Sequence, residues 1–348
     1  MSLLLGSLTV VCGIYLWWGF TVLPGERWQI LAAVPAGKDP EGSWHGINFT
    51  WYGLLTANAY LVAVAVLLAL MGAVGVTPVA VALLATVMLL CCVPASRLVA
   101  QIVEKKNHTF TVGGAVFVGI LIMPLVISLL NRSIGVLFSF HIPMMAACAA
   151  IAIAYAFGEG LGRLACISFG CCYGKPVATL PGSLAGWFGR YGFVFQGSTK
   201  KIAYADNMEG IRVIPVQALT AVLYTACGLF CTALFLDSRH TTAFLVASVV
   251  TQGWRAFSET LRADYRGAGR VSAYRIMGLI GVLYAVGLSL FIAPELTAHV
   301  GLATALGSLW RPELILFLQA VWVAIFIYTG RSTVTGATIR LHLHTDRI

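Results

Sequence analysis

Nine long apolar stretches constrain the fold of this chain more than any other feature of its sequence. Each is close to the ~20 residues that an α-helix needs to cross the hydrocarbon core of a bilayer. Only 10% of the residues are charged, whereas a soluble domain has about 25%, and the alternation typical of barrel strands is absent. The sequence therefore predicts an all-α integral membrane protein with about nine transmembrane helices. These helices are 3–22, 51–73, 77–95, 112–130, 139–161, 215–236, 241–261, 273–293 and 312–329.

The predicted helices and their connections divide the chain into five parts. Residues 1–50 hold an N-terminal transmembrane helix and its connection, and 51–161 hold the second to fifth helices. The segment 162–214 is too long for a turn and too polar for lipid, so we predict a loop followed by a small extramembrane head domain. The sixth to eighth helices lie in 215–293, and 294–348 carries the last helix and a basic tail that we expect to be disordered.

The net charge of +9 is distributed unevenly along the chain. If the nine helices alternate in direction, three of the 22 Lys and Arg residues, Arg132, Arg239 and Arg311, lie on one side of the membrane. The positive-inside rule then predicts that the other side, which includes the head domain, is cytoplasmic. Attraction for anionic lipid head groups is an alternative explanation of the cationic excess. We expect membrane lipids as partners, and neither nucleic acid nor a cofactor.

Charged residues at the edges of apolar helices mark candidate sites. Arg163 follows a long apolar run, where a charge is costly unless it is paired, solvated or bound to an anionic ligand. Glu159 precedes it by four residues and shares its helix face, so the two can also neutralise each other. Arg255, Glu259 and Arg262 have the same kind of spacing at the end of the seventh helix. For this triplet, a buried functional network and a solvent-exposed ladder are both open.

Three cysteines lie within seven residues, at Cys166, Cys171 and Cys172, in polar and glycine-rich surroundings. The other six cysteines lie in apolar helices, where they are small hydrophobic residues. Neighbouring arginines favour a nucleophilic thiolate. A redox disulfide from Cys166 to either of the adjacent cysteines is a second use. Metal binding is a third, although three thiols are an incomplete site, and we predict no metal.

Arginine is more frequent at predicted helix ends than membrane anchoring requires, because Arg97 and Arg275 add to the three arginines above. A guanidinium binds phosphate through two parallel hydrogen bonds, with a geometry that lysine lacks. The residues therefore predict a helical membrane protein with a cavity for the head group of an anionic phospholipid, and with a thiol cluster beside it.

The chain resembles the bacterial prolipoprotein diacylglyceryl transferase family over roughly residues 45–293. The order and spacing of several short motifs carry the resemblance. They are Trp51-Tyr52-Gly53-Leu54, Arg97, Gly113-Gly114 with Gly119, Gly162-Arg163-Leu164 with Gly170 and Gly174, Pro215 with Gln217, Arg255 with Glu259 and Arg262, and Met277-Gly278.

The resemblance implies a core of seven helices with one extra helix at each end, in the bacterial cytoplasmic (inner) membrane. It implies transfer of a diacylglyceryl group from phosphatidylglycerol to the thiol of a lipobox cysteine, with release of glycerol phosphate. Arg163 and Arg255 would hold the lipid phosphate, Glu259 would fix Arg255, and Tyr52 would position the lipid or the thiol. The implied substrate-binding residues are Arg97, Gly113, Gly114, Gly162, Gly170, Gly174, Gln217 and Arg262.

Some of these residues also have purely structural explanations. Tyr52 fits an interfacial aromatic belt, and the Gly113-Gly114 pair permits close helix packing. Arg97 can anchor a helix end by extending its side chain to the interface.

The sequence also departs from the family pattern. Val112 stands where the family has a histidine, and His108 is the nearest histidine, four residues earlier. Cys166 and Cys171 stand where the family has asparagine and glutamate. The outward-facing head domain of the family also conflicts with the charge asymmetry. The acceptor therefore stays open: it is the prolipoprotein cysteine, or another thiol or hydroxyl reached through a lipid bound to Cys171 or Cys172. A non-catalytic lipid-binding or transport protein is the remaining alternative.

Overall fold

The computed structural model describes residues 2–105, 111–265, 272–293, 295 and 302–347, and it is mostly helical. The helices are α1 (Ser2–Val22), α2 (Trp51–Ala73), α3 (Pro78–Glu104), α4 (Val112–Arg132), α5 (Ile134–Leu137), α6 (Met144–Phe169), α7 (Gly182–Tyr191), α8 (Lys201–Asp206), α9 (Val216–Leu236), α10 (His240–Ser258), α11 (Ala273–Phe291), α12 (Leu302–Leu309) and α13 (Pro312–Gly330). The strands are β1 (Ile30–Lys38), β2 (Trp44–Thr50), β3 (Phe193–Val194), β4 (Arg212–Val213) and β5 (Arg331–Ile339).

Eight of the described helices are long and apolar enough to cross a membrane, one fewer than predicted. The exception is α10, which covers most of the expected span 241–261 but has a lower mean hydropathy. It packs against α6, α9 and α11, and its polar residues Ser248, Thr251 and Gln252 are buried there. Polar side chains that face neighbouring helices rather than lipid explain why α10 is less apolar than the rest. The all-α membrane fold with a small additional domain is confirmed.

Helix α6 lies at the centre of the helical bundle and contacts α2, α9 and α10. Small residues permit these close contacts. A Cβ atom on Gly160, for example, would lie 2.9 Å from Oγ1 of Thr225 in α9. The helix continues to Phe169, eight residues beyond the predicted end at 161. Arg163 and Cys166 are therefore on the same helix as Glu159 rather than in a loop.

An antiparallel sheet in the order β1-β2-β5 was not predicted. The central strand β2 pairs with β1 in the connection after α1 and with β5 directly after α13, so it joins the two ends of the chain. Residues 331–339 are thus a strand and not the start of a tail. The sequence does not reveal these strands, because their apolar and polar residues do not alternate with a period of two. Strand β1 is exposed along most of its length, and both strand pairings contain register shifts.

The predicted head domain includes α7, α8 and the β3-β4 pair. Val177, Phe188 and Ile214 form a small core of their own, whereas Ile202 and Val213 belong to the main core. A fully buried lysine, Lys200, attaches the head domain to the membrane helices. Its ammonium donates to the carbonyl oxygen of Leu23 after α1, at 2.8 Å, and to that of Ser168 in the last turn of α6, at 2.9 Å. Burial lowers the pKa of Lys200 to about 8. The head domain is therefore held against the end of α6.

Candidate functional site

Two of the predicted arginines meet at one carboxylate inside the bundle. Nη2 of Arg163 donates to Oε1 of Glu159, and Nη2 of Arg255 lies 3.5 Å from the same oxygen. Arg255 also donates to the hydroxyl of Tyr155, at 2.7 Å. The three charged side chains are only 11–13% exposed. We call Tyr155, Glu159, Arg163 and Arg255 the arginine cluster.

The spacing along α6 explains half of the arginine cluster, because Tyr155, Glu159 and Arg163 follow at intervals of four and share one helix face. Arg255 comes from the last turn of α10. Two cations on one carboxylate leave a net charge of +1 in a buried place, which favours an anionic ligand. Nε of both arginines is buried and has no hydrogen-bond partner among the described residues. Two N–H groups therefore remain for a further acceptor.

Gly113, in the first turn of α4, leaves the space that the side chain of Arg255 occupies. A Cβ atom on Gly113 would lie 3.0 Å from Nη1 of Arg255 and 2.6 Å from Cδ1 of Tyr274. Gly114 is equally close to α3, because its Cβ atom would lie 2.6 Å from Cβ of Val99. Both glycines are needed where they stand because any side chain would displace a neighbour.

Arg262 is the centre of a second ionic group. Its Nε and Nη2 donate to the two carboxylate oxygens of Asp264, both at 2.8 Å, and its Nη1 lies 3.8 Å from Glu259. Burial lowers the pKa of Arg262, but Cys172, Asp264 and Glu259 offset this and raise it above its ordinary value. Two carboxylates give this group a net charge of −1, so its guanidinium is already engaged.

Glu259 does not take the position expected for it. Its carboxylate accepts from Oγ of Ser272 at 2.9 Å and contacts Arg262, whereas Arg255 is held by Tyr155 and Glu159. Glu259 is the C-cap residue of α10 and has helical φ and ψ, but Ser272 and Arg262 are the partners of its carboxylate.

The three predicted thiols come together at the end of α6. Gly170 has the left-handed conformation (φ 67°) that ends a helix, and the N–H of Cys171 turns back to the carbonyl oxygen of Cys166 at 3.0 Å. This Schellman motif brings the side chains of its first and last residues into contact. The Sγ atoms of Cys166, Cys171 and Cys172 all lie within 4.8 Å of one another. Nη1 of Arg163 is 3.9 Å from Sγ of Cys166. We call these three residues the thiol cluster.

The environment of Cys171 does not favour the expected thiolate. Hydrogen bonds with Cys166 and Cys172, followed by burial, raise the pKa of Cys171 well above its ordinary value. The protein alone therefore keeps this sulfur as a protonated thiol at neutral pH.

The other predicted residues surround the thiol cluster in different ways. Nε2 of Gln217, at the start of α9, donates to the carbonyl oxygen of Cys171 at 2.8 Å. Tyr52 packs edge-on against Phe169 and lies close enough to interact electrostatically with all three thiols. A Cβ atom on Gly174 would lie 2.5 Å from the carbonyl oxygen of Ile214, and Gly174 also pairs with Arg262 as a backbone bridge.

Three further predicted positions make few contacts with the arginine cluster or the thiol cluster. Gly162 has only an ordinary contact, because its Cβ atom would lie 3.7 Å from Ala59. Arg97 occupies an exposed position on α3, and Val112 is also exposed, while His108 lies outside the described residues. The structure thus brings Arg163, Arg255 and the thiols together and leaves Arg97 exposed.

Two site residues escaped the sequence analysis. Tyr155 precedes Glu159 by four residues, and this spacing could have identified it. Tyr274 donates to Glu104 at 2.8 Å and closes the site next to Gly113. No local spacing links Tyr274 to Glu104, because they are 170 residues apart.

Fold and site first define a class, namely a multi-pass membrane protein whose buried arginines lie where the helix ends meet a head domain. A sequence model of the prolipoprotein diacylglyceryl transferase family matches residues 43–292, which include both clusters and Arg262. No curated protein matches the chain. The chain therefore belongs to the prolipoprotein diacylglyceryl transferase family, a family of transferases that move a diacylglyceryl group to prolipoproteins.

The matched segment contains seven of the long helices, and the other two long helices lie outside it. The seven are α2, α3, α4, α6, α9, α10 and α11. Outside the match, α1 and α13 both form a hydrogen bond with the same side chain of α2. Asn58 donates to the hydroxyl of Tyr15 at 3.2 Å and accepts from Nε1 of Trp322 at 2.8 Å.

Proposed function

We propose that this protein transfers a diacylglyceryl group from phosphatidylglycerol to the thiol of a prolipoprotein cysteine, in the bacterial cytoplasmic (inner) membrane. The observation that carries the proposal is the meeting of Arg163 and Arg255 at Glu159, inside the segment that matches the family. A buried group with a net positive charge and free N–H groups suits a lipid phosphate better than a neutral lipid.

The reaction displaces a phosphate from carbon. The acceptor thiol loses its proton to solvent, its sulfur forms a bond to the diacylglyceryl carbon, the C–O bond to the phosphate breaks, and the leaving glycerol phosphate keeps the electron pair. Its oxygen gains charge as the bond breaks, so the fixed cations of Arg163 and Arg255 stabilise the transition state more than the bound lipid. Tyr155 and Glu159 keep Arg255 oriented before the substrate arrives, which reduces the cost of reorganisation.

The remaining residues would shape the site around this phosphate. Tyr52 would position the acceptor, since it borders the thiol cluster. Gln217 would hold the turn at Cys171. Arg262, with Glu259 and its other carboxylate partner, acts as a positioning residue that fixes the loop at Gly174 rather than as a phosphate ligand.

Glycines and an outer arginine complete the set. Gly113 would admit the guanidinium to the first turn of α4, Gly114 would let α3 approach that turn, and Gly170 would form the turn that presents the thiols. Gly162 would let α6 and α2 pack together beside the site, where its nearest neighbour is Ala59. Arg97, on the exposed side of α3, would attract anionic head groups towards the site.

The test is mass spectrometry of a lipobox peptide incubated with the protein in phosphatidylglycerol nanodiscs. The parent protein should add one diacylglyceryl unit to the peptide cysteine. Arg255→Ala and Arg255→Lys should each lower the rate by about 10²–10³-fold, because lysine lacks the planar fork that binds two oxygens. Arg239→Ala is the matched control, an exposed arginine at the opposite end of α10. Transfer by the parent from a neutral lipid but not from phosphatidylglycerol would refute the proposed donor.

A second candidate keeps the same donor but passes the lipid to another thiol or hydroxyl through a lipid bound to Cys171 or Cys172. The position of the thiol cluster beside Arg163 favours it. The raised pKa of Cys171 opposes it, because a protonated thiol is a poor nucleophile. Incubation with lipid alone, followed by the mass of the intact protein, decides: a diacylglyceryl adduct that disappears in Cys171→Ser or Cys172→Ser supports this route.

A further inference from the structure

The three thiols of the thiol cluster are ligands that soft metal ions prefer. The proposed displacement of the lipid phosphate does not use them. A disulfide would use two of these sulfurs, but three lie within 4.8 Å of one another. Tetrahedral zinc has Zn–S bonds of about 2.3 Å, which place its sulfurs about 3.8 Å apart. Rotation of half-buried side chains over about 1 Å therefore brings Cys166, Cys171 and Cys172 to zinc-binding distance.

The backbone adopts an unfavourable conformation where it brings the three cysteines together. Cys172 has φ of 58°, in the left-handed region that residues with a side chain seldom adopt. Such a conformation costs roughly 1–3 kcal/mol and is concentrated at functional sites. Together with Gly170, it folds two consecutive cysteines back onto the last turn of α6.

The surrounding charges fit a thiolate-bound cation. Three thiolates and a divalent ion sum to −1, and a buried charge needs a partner. Arg163 lies 3.9 Å from Sγ of Cys166 and interacts electrostatically with Cys172, so it is the cation that offsets this charge. Soft thiolate ligands select zinc and copper(I) over magnesium, calcium and manganese.

We propose that Cys166, Cys171 and Cys172 bind one zinc ion, and that the fourth coordination position takes the acceptor thiol. Within the parts of the chain that the structure describes, this group contains no fourth His, Cys, Asp or Glu. Three protein ligands with one open position are the arrangement of catalytic rather than structural zinc. The inference rests on the proposed function for the identity of the acceptor, but not for the existence of the metal site.

This site supplies the deprotonation that the first turn of α4 does not, because Val112 has no basic group. A thiol that coordinates zinc is deprotonated at neutral pH, and its proton is released to solvent. The acceptor sulfur then bonds to the diacylglyceryl carbon and leaves the coordination sphere as the C–O bond breaks. The electron pair of that bond goes to glycerol phosphate, beside Arg163 and Arg255.

The experiment measures zinc in tag-free protein in nanodiscs, by elemental mass spectrometry and by zinc-edge X-ray absorption. We expect one zinc per chain with three sulfur ligands. Adding a lipobox peptide should raise the count to four sulfurs, whereas the same peptide with serine in place of cysteine should leave it at three. Cys166→Ser, Cys171→Ser and Cys172→Ser should each weaken zinc binding by at least about 10-fold. Cys91→Ser is the matched control, an exposed cysteine on α3.

Zinc binding that survives in all three single variants, or a parent protein without zinc after exposure to it, overturns the inference. So does copper in place of zinc, or a fourth sulfur ligand before the peptide is added. The outcomes separate the two proposals. A zinc site that takes the peptide thiol without any lipid transfer refutes only the proposed function, and full-rate transfer by zinc-free protein refutes only the role of zinc in activating the acceptor. Monodisperse chromatography of each variant shows that it has folded.

Discussion

Gly113→Ala tests how closely the site depends on the placement of Arg255. The added Cβ atom would lie 2.6 Å from Cδ1 of Tyr274, about 1 Å closer than a favourable carbon–carbon contact. Tyr274 cannot turn away freely, since it is 1% exposed and its hydroxyl is bonded to Glu104. Arg255, 3.0 Å from the same atom, is the other neighbour that has to shift.

The expected change in the free energy of unfolding is small, whereas the expected loss of transfer rate is large. Overpacking of this size costs roughly 1–3 kcal/mol, and replacing glycine by alanine in a helix returns up to ~1 kcal/mol. A net loss of roughly 1–2 kcal/mol should leave the protein folded. A displacement of about 1 Å in a positioning group can lower a rate about 10²-fold. We therefore expect Gly113→Ala to lower the rate of diacylglyceryl transfer about 100-fold and to change the melting midpoint by only a few degrees.

The assay compares initial rates of transfer to a lipobox peptide with melting midpoints of the same preparations. Gly287→Ala is the matched control, because Gly287 also lies in a membrane helix and an added Cβ atom there meets nothing within 4 Å. It should keep the parent rate and melt at the same or a slightly higher temperature. A parent-like rate in Gly113→Ala, with the control behaving as described, would refute the argument that this glycine places Arg255.

Three other predictions test the packing around the site. Glu159→Gln removes the charge shared by two arginines and should destabilise the protein by roughly 3–5 kcal/mol; its melting midpoint is compared with that of Glu313→Gln, an exposed position on α13. Lys200 has a pKa of about 8 when folded and 10.5 ordinarily, so the folded protein binds fewer protons between these values and its stability should rise with pH there by up to roughly 3 kcal/mol. Lys200→Met should abolish that rise in melting curves taken from pH 7 to 10. Asn58→Leu leaves the indole N–H of Trp322 without its acceptor and should cost roughly 1–3 kcal/mol while the transfer rate is unchanged; an unaltered melting midpoint would contradict the bridging role.

The sequence could predict what depends on spacing along one helix. Glu159 and Arg163 are four residues apart, and their pairing follows from helical geometry. The contact of Arg255 with Glu159 joins residues 96 positions apart, and only the packing of α10 on α6 creates it. The same spacing rule predicted the contact of Glu259 with Arg262, three residues on, but it could not show that Tyr155 and Glu159 are the partners of Arg255.

Hydropathy predicted the long helices and missed the strands. It included α10 within 241–261, although this helix buries Thr251 and Gln252 against its neighbours and has the composition of an interior helix. Strand β5 follows α13 directly and pairs with β2, where Trp44 and Ile339 are partners 295 residues apart. Neither strand has a clear period of two, because both lie outside any buried core. Contacts between distant parts of the chain, rather than local pattern, form these elements.

The last three turns of α6 place the proposed phosphate site and the proposed acceptor site next to each other. Arg163 and Cys166 are three residues apart, which is about 4.5 Å along the helix axis. A sulfur must come within roughly 3–3.5 Å of the carbon it attacks, and that carbon is one oxygen away from the phosphorus that the arginines hold. A phosphate at the arginine cluster and an acceptor thiol at the thiol cluster would therefore lie close together. Helix α6 fixes the separation of Arg163 from Cys166, and the turn after Gly170 brings Cys171 and Cys172 back to Cys166, so the proposed thiols would change how the acceptor is activated while the phosphate stays in place.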